Sequence, residues 1–308
     1  MKPLIRRVIA GTVAIAAIAG AFLAGTVYGI ESDPYGDFPA GTLIAAKTQV
    51  RTALGMSKGW SKSNADLTDQ IRRACPANAL VVVTGGQSNA SNAISTPFDA
   101  DPAAPVFMFF DGHCFALRDP LLGTTGTRGS VWSRLGPALA ARTGRPVVFV
   151  NGAIGGSQFS DWTDKRSPYM ANLRRRVADA AKQLGPADIV LWHQGETDAW
   201  FTTSQAEIQP EIKQVTDTVL TSFALKPAAK LVLYRASLCT GARRRTSNQP
   251  LLAAQTAVAA ANPRIVLGPD TDRFGRRFRH DDCHFNDAGA RSMADATLAL
   301  IAPMLGAR

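Results

Sequence analysis

Short, nearly continuous apolar runs alternate along the chain with longer stretches in which apolar residues recur at helical spacing. Residues 79–84 (ALVVVT) predict a buried strand ending in Gly85-Gly86. Residues 106–110 are a second extended run, with Asp111-Gly112 as a turn signal. Residues 131–142 predict a helix, bent or interrupted by Pro137, that leads to a strand at 146–151. An amphipathic helix at 169–184 precedes a strand at 188–193. A helix at 205–225, spanning Pro210, precedes a strand at 230–234. The chain closes with a helix at 248–261, a short strand at 264–267 and a helix at 287–305.

Apolar strands separated by helices predict an α/β fold, a parallel sheet covered by helices on both faces. In such sheets ligands bind beyond the carboxyl ends of the strands. Polar residues that follow strands therefore converge on one edge, however far apart they are in sequence. Before this domain, residues 31–60 form a stalk without firm periodicity, and a short helix is expected from Ser63 or Asn64 through Ala74, stopped by Pro76. The expected boundaries are 1–30, 31–75 and a domain at 76–308.

The first thirty residues add a location. Lys2, Arg6 and Arg7 precede an uncharged, mostly apolar run from Val8 to Ile30, and Glu31, Asp33 and Asp37 follow it. The run is long enough to cross a hydrocarbon core. The leading basic residues predict that the N-terminus stays inside and the rest is exported. An uncleaved signal anchor is the expectation, with the membrane as partner and the domain periplasmic or extracellular. Ala19-Gly20-Ala21 offers a cleavage site that would make the protein secreted. Export allows disulfides to persist. Cys75, Cys114, Cys239 and Cys283 allow three pairings, among which sequence does not choose, or none if all four are buried thiols. The expectation is Cys75 with Cys114 and Cys239 with Cys283.

The formal net charge is +10, with arginines clustered at 174–176, 243–245 and 273–279. No helix-turn-helix, zinc finger or basic–aromatic stripe accompanies them, so nucleic acid is not an expected partner. An arginine-rich solvated surface, an anionic membrane or an acidic substrate accounts for the charge.

Four polar blocks follow predicted strands or precede the last helix. They are Gly85-Gly86-Gln87-Ser88-Asn89, then Gly152-Ala153-Ile154-Gly155-Gly156-Ser157 with Trp162 behind it, then Gln194-Gly195-Glu196-Thr197-Asp198, then His280-Asp281-Asp282-Cys283-His284. A serine just past a strand exposes its hydroxyl among outward-pointing backbone amides, which stabilise an anionic tetrahedral intermediate. Its hydroxyl needs a base, and a histidine is the natural one. Asp281, three residues before His284, is spaced to bond Nδ1–H and leave Nε2 for Ser88. The Gly155-Gly156 turn and the Gln194 side chain offer further donors. A serine in isolation would more often be a helix cap.

The serine context is not the Gly-x-Ser-x-Gly elbow of α/β-hydrolases. Taken together, GQSN, GGS, HQGE and D-x-x-H in this order resemble the SGNH (GDSL-type) hydrolase superfamily, and more closely its sialate O-acetylesterase-like carbohydrate esterases. The resemblance covers about residues 79–303. It implies a three-layer α/β/α sandwich with a central parallel, flavodoxin-like sheet, and deacetylation through an acyl-serine with no cofactor. It implies Ser88 as nucleophile, His284 as base and Asp281 as orienting acid, with Ser88 N–H, Gly155 or Gly156 N–H and Gln194 at the oxyanion. Gln87 replaces the superfamily's usual aspartate and Gln194 its usual asparagine, both in the manner of the carbohydrate-esterase branch.

Around that centre, Gln87, Asn89, Trp162, Glu196, Trp200 and Arg277 are the expected substrate-binding residues, with Trp162 and Trp200 as candidate sugar-stacking walls. Glu196 and Asp198 alternatively brace their loop, and His193 is read as a supporting residue. Arg276, Arg277 and Arg279 just before the histidine block point to an acidic sugar, with neutral sugars open. A metal site at His280, Asp281, Cys283 and His284 matches no familiar zinc spacing. An acetyltransferase and an inactive glycan-binding protein are the competing functions.

Overall fold

The computed structural model describes residues 70–101, 103–202, 204–239 and 246–306. The apolar N-terminal run and the expected stalk, both within residues 1–69, lie outside them. Among the described residues no helix is long and apolar enough to cross a membrane.

Eight strands form one sheet in the order β1-β4-β3-β5-β2-β6-β7-β8. They are β1 (Arg72–Arg73), β2 (Leu80–Gly86), β3 (Val106–Phe110), β4 (His113–Ala116), β5 (Val147–Asn151), β6 (Ala187–His193), β7 (Leu225–Arg235) and β8 (Ile265–Asp270). The described helices are α1 (Val131–Thr143), α2 (Phe159–Thr163), α3 (Tyr169–Leu184), α4 (Gln205–Ser222), α5 (Gln249–Ala260) and α6 (Asp287–Ile301).

β2 is wholly buried because its alternate residues feed two cores. Val81 and Val83 join Val148, Val150, Val190 and Leu231 beneath α3, α4 and α5. Leu80 and Val82 join Val147, Phe149, Leu191 and Tyr234 beneath α1 and α6. A strand covered on both faces carries no polar alternation, which is why 79–84 reads as a continuous apolar run.

The sheet is mixed, which corrects the expectation of a parallel one. β3, β5, β2, β6, β7 and β8 pair in parallel, but β4 runs antiparallel to β3. Asp111-Gly112 forms the two-residue turn between them, with φ of 49° and 77°, the pattern a tight hairpin needs. The expected helix through Ala74 is also corrected at its end. Arg72–Arg73 pairs antiparallel with Phe115 and Cys114, and the Cys75–Cys114 disulfide pins this segment to the sheet edge.

The remaining boundaries shift for local reasons. α1 runs unbroken through Pro137, opened by Ser130, which accepts the Trp132 N–H, and closed by left-handed Gly144. α4 ends at Ser222 because residues from Leu225 join β7, and α6 ends at Ile301 just before Pro303. The five-residue α2 falls below what periodicity resolves.

β2 has β5 on one side and β6 on the other, so the chain's direction of winding reverses there. The crevice beyond the carboxyl end of β2 is the binding position of such a sheet, and Ser88 lies two residues past that end.

Candidate active site

The turn from β2 into Ser88 depends on close backbone approach. Gly86 has φ of 116°, and a Cβ there would lie 1.9 Å from the His193 carbonyl oxygen. Only glycine lets β2 and β6 end side by side in this way. Ser88 then opens a single 3-10 turn, Ser88–Ala90. Ser88 is 6% exposed, and its Oγ makes no hydrogen bond. The serine–histidine bond of a working pair is therefore not formed here; such bonds commonly tighten only with substrate in place.

Asn89 connects the serine to the histidine block. Its Oδ1 accepts the Phe285 N–H at 3.0 Å, and its Nδ2 donates to the Cys283 carbonyl at 3.2 Å. The residue after Ser88 thus holds both residues flanking His284. Nδ2 also donates to Glu196 Oε1 at 2.8 Å. One buried amide joins three of the four polar blocks.

Within the last block, Asp281 Oδ2 accepts from His284 Nδ1 at 2.7 Å, while Oδ1 accepts the backbone N–H of His284 at 2.7 Å and of Cys283 at 3.1 Å. Burial pushes the Asp281 carboxyl up, but the His284 ring, the His284 amide and the charge of His280 outweigh it and hold the group well below the usual carboxylate range. An ionised Asp281 fixes the His284 ring with Nε2 as its outer nitrogen. The Cys239–Cys283 disulfide ties this loop to the segment after β7, and the Cys75–Cys114 bridge is formed as well. Both expected pairings are present.

Other expected residues frame the site instead of lining it. Gln87 is fully buried and its Oε1 accepts the Gly195 and Thr197 amides at 3.3 and 3.0 Å. Glu196 is 1% exposed and braces Asn89. Trp162 is not a wall for sugar: it packs against Trp192 and Tyr169 in the core and donates from Nε1 to Ser157 Oγ at 3.1 Å. Trp200 is half-buried and Arg277 is exposed, stacked on the Phe278 ring. Arg276 pairs with Asp282, and buried Arg279 donates to the Thr271, Phe274 and Cys283 carbonyls. Of the three arginines, Arg276 and Arg277 are exposed and Arg279 is buried.

The expected oxyanion donors divide. Gly155 adjoins Ser88 so closely that a Cβ there would lie 3.7 Å from Ser88 Cβ. Its N–H, however, donates to Thr125 Oγ1 at 2.7 Å. Gly156 is exposed, with φ of 71°. Gln194 is buried, its Oε1 accepting from Trp192 and its Nε2 reaching the Ser157 carbonyl at 3.4 Å. Thr125 was not expected here, since it belongs to none of the four blocks.

His193 is fully buried and bonded to Thr271 Oγ1, and burial drives its pKa down, so it serves as a neutral structural residue. For a metal, His280, Asp281 and His284 bring donor atoms within 4.8 Å of one another. Cys283, the fourth candidate ligand, is taken by its disulfide.

The fold has relatives among solved structures. A protein from Arabidopsis thaliana is 15% identical with a TM-score of 0.57, covering 74% of this chain and 98% of its own. NanS is 15% identical with a TM-score of 0.51, over the same shares. A carbohydrate acetylesterase from Xanthomonas citri is 17% identical with a TM-score of 0.49, covering 72% of this chain and 55% of its own. At such identities the likeness concerns the fold. No curated protein matches the chain significantly in sequence. The family model for carbohydrate esterases described as sialic acid-specific acetylesterases matches residues 78–299, nearly the whole sheet with its covering helices. The chain belongs to that family of carbohydrate esterases.

Proposed function

We propose that the protein is a serine esterase that removes O-acetyl groups from carbohydrate through an acetyl-serine intermediate. The observation that carries this reading is the Asn89 clamp, which joins the serine turn to the loop where Asp281 orients His284.

Ser88 Oγ attacks the acetyl carbonyl carbon, the carbonyl π pair moves to oxygen, and the hydroxyl proton passes to His284 Nε2. The Ser88 amide, the Gly156 amide and Gln194 serve the resulting oxyanion. Collapse expels the sugar oxygen, which takes the proton from His284. Water then repeats the sequence on the acetyl-serine, releasing acetate and restoring Ser88. Asp281 stays ionised throughout and stabilises the imidazolium.

The substrate is an acidic sugar, such as a sialic or uronic acid. Exposed Arg277 beside the histidine block supports this, as does the family's description. The domain acts outside the cytoplasmic membrane, led there by the N-terminal apolar run, which serves as anchor or leader. The two disulfides suit that compartment.

The test is acetate release from O-acetylated sialic acid, O-acetylated uronic polymers and neutral acetylated xylan. Release by the wild type and none by Ser88→Ala supports the reading. Full activity in Ser88→Ala rejects the nucleophile, and equal rates on all three substrates reject the acidic preference.

A further inference from the structure

The amide of Gly155 sits beside the nucleophile and yet is not open to a ligand. Its hydrogen is directed at the hydroxyl of Thr125, 2.7 Å away. A Cβ built on the same glycine would lie 3.7 Å from Ser88 Cβ and 3.2 Å from Thr125 Oγ1. Gly155 is therefore close to both the expected nucleophile and a threonine hydroxyl.

Thr125 is held at both ends of its peptide unit. Its N–H donates to the Ala153 carbonyl at 3.2 Å, and its carbonyl accepts the Asn92 N–H at 2.9 Å. Ala153 belongs to the loop after β5, and Asn92 to the loop after β2. The neighbouring Thr124 hydroxyl adds a bond to the same Ala153 carbonyl at 2.6 Å. Asn92 also clasps Leu121 in both directions, giving its Nδ2 to the carbonyl at 3.0 Å and taking the amide on Oδ1 at 2.8 Å. Thr125 thus bridges the two strand-end loops that carry Ser88 and Gly155, its backbone bonded to both.

A hydroxyl has one hydrogen and two lone pairs. When a lone pair accepts from Gly155, the hydrogen is turned away from Gly155 and becomes available to another acceptor. A donor that is itself accepting a hydrogen bond is polarised and donates more strongly. Building on the esterase reading above, we propose that Thr125 is a catalytic residue: its hydroxyl, oriented by the Gly155 amide, donates a hydrogen bond to the oxyanion that forms when Ser88 attacks the ester. The amide–hydroxyl chain supplies the charge stabilisation that a bare glycine amide was expected to give. No proton is transferred in this contact; the Thr125 O–H bond stays intact, and the bond to the oxyanion is lost when the tetrahedral intermediate collapses. Preorganised donors of this kind act mainly on the transition state.

The test is a three-variant kinetic series on p-nitrophenyl acetate. Valine is close to isosteric with threonine and removes only the hydroxyl, whereas serine keeps the hydroxyl and loses a methyl. Thr125→Val is expected to lower kcat on the order of 10²-fold with KM within about twofold, the split of a transition-state contact. Thr125→Ser is expected to recover activity to within several-fold of wild type, which a purely packing role would not allow. Labelling of Ser88 by a fluorophosphonate, whose phosphoryl oxygen occupies the oxyanion position, slows in parallel in Thr125→Val. Thermal unfolding of each variant reports folding, and Thr125→Ala gives the same readout if the valine variant does not fold. A valine variant as fast as wild type, or faster, means that the hydroxyl only covers the Gly155 amide and overturns the proposal. Ser88→Ala is run alongside: if it too keeps full activity, the esterase reading itself has failed, whereas an inactive Ser88→Ala with an active Thr125→Val rejects the threonine alone.

Discussion

Asn89 Oδ1 accepts the Phe285 amide at 3.0 Å, so the residue after Ser88 holds the residue after His284. The two are far apart in sequence, and their contact aligns groups that arrive from β2 and from the loop before α6. Asn89→Ala would leave the Phe285 N–H without its buried partner and take the amide donor from Glu196 Oε1, while the Cys283 carbonyl keeps Arg279. The expected cost is about 2–4 kcal/mol of stability, from two buried hydrogen bonds with unsatisfied partners. Loosening His284 by an ångström or less would lower kcat on the order of 10–10²-fold. Denaturant melts and p-nitrophenyl acetate kinetics measure both. A variant that loses stability at full kcat would mean that the clamp supports the fold and not the site.

How much of this was legible in the chain depends on what each residue contacts. The buried strands announce themselves because β-branched runs such as 79–84 have few other uses in a covered sheet. β1 and β4 do not, since they are two and four residues long and are held by a disulfide and a hairpin turn that periodicity does not register. GQSN and HQGE mark Gln87, Asn89 and Glu196 as belonging to the site, but motifs do not say which way a side chain points. All three turn inward to brace loops. Trp162 reads the same whether it faces sugar or core, and here burial against Trp192 decides. Thr125 carries no motif, and only the folded chain brings it to Gly155.

The two disulfides separate stability from activity. Cys75–Cys114 closes a segment of 39 residues at the outer edge of the sheet, and Cys239–Cys283 one of 44 residues beside His284. Chain entropy assigns each about 4 kcal/mol as an upper figure. Replacing either pair with serine should lower Tm. Only Cys239→Ser/Cys283→Ser should also lower kcat, by about tenfold or more, because the segment it frees carries His284. Equal kcat in both double variants would remove the disulfide from any role in positioning the base.

Buried Asp198 makes stability fall as pH rises. Burial lifts its carboxyl from 3.8 to about 8, aided by Glu211 and Asp161, while its Oδ1 accepts the Phe159 amide and its Oδ2 has no partner. The folded state therefore holds a proton that the unfolded chain releases above pH about 4. Its contribution is complete below that pH, declines through the interval and is lost above pH about 8. Asp119, raised to about 7 chiefly by burial, acts in an overlapping window. Asp198→Asn should shrink the loss of stability between pH 5 and pH 8 by on the order of a few kcal/mol. Urea unfolding at the two pH values checks this, and an unchanged difference would mean that Asp198 is ionised in the fold. Asp281 contributes in the opposite sense, its stabilisation present above pH about 4 and lost only as pH falls through its depressed folded value.

Arg277 tests the acidic-sugar assignment separately from the chemistry. Arg277→Ala should raise KM for an acetylated sialic acid by about tenfold, the size of one ligand charge contact, and leave KM for p-nitrophenyl acetate unchanged. Equal changes for the charged and neutral substrates, or none for either, would detach the arginine from recognition.

The esterase mechanism requires that Ser88 become acylated. Rapid-quench peptide mass spectrometry after mixing the enzyme with p-nitrophenyl acetate should find an added acetyl group on the peptide containing Ser88, decaying as acetate is released and absent from Ser88→Ala. Turnover without any such adduct, or an adduct that persists in Ser88→Ala, would contradict it.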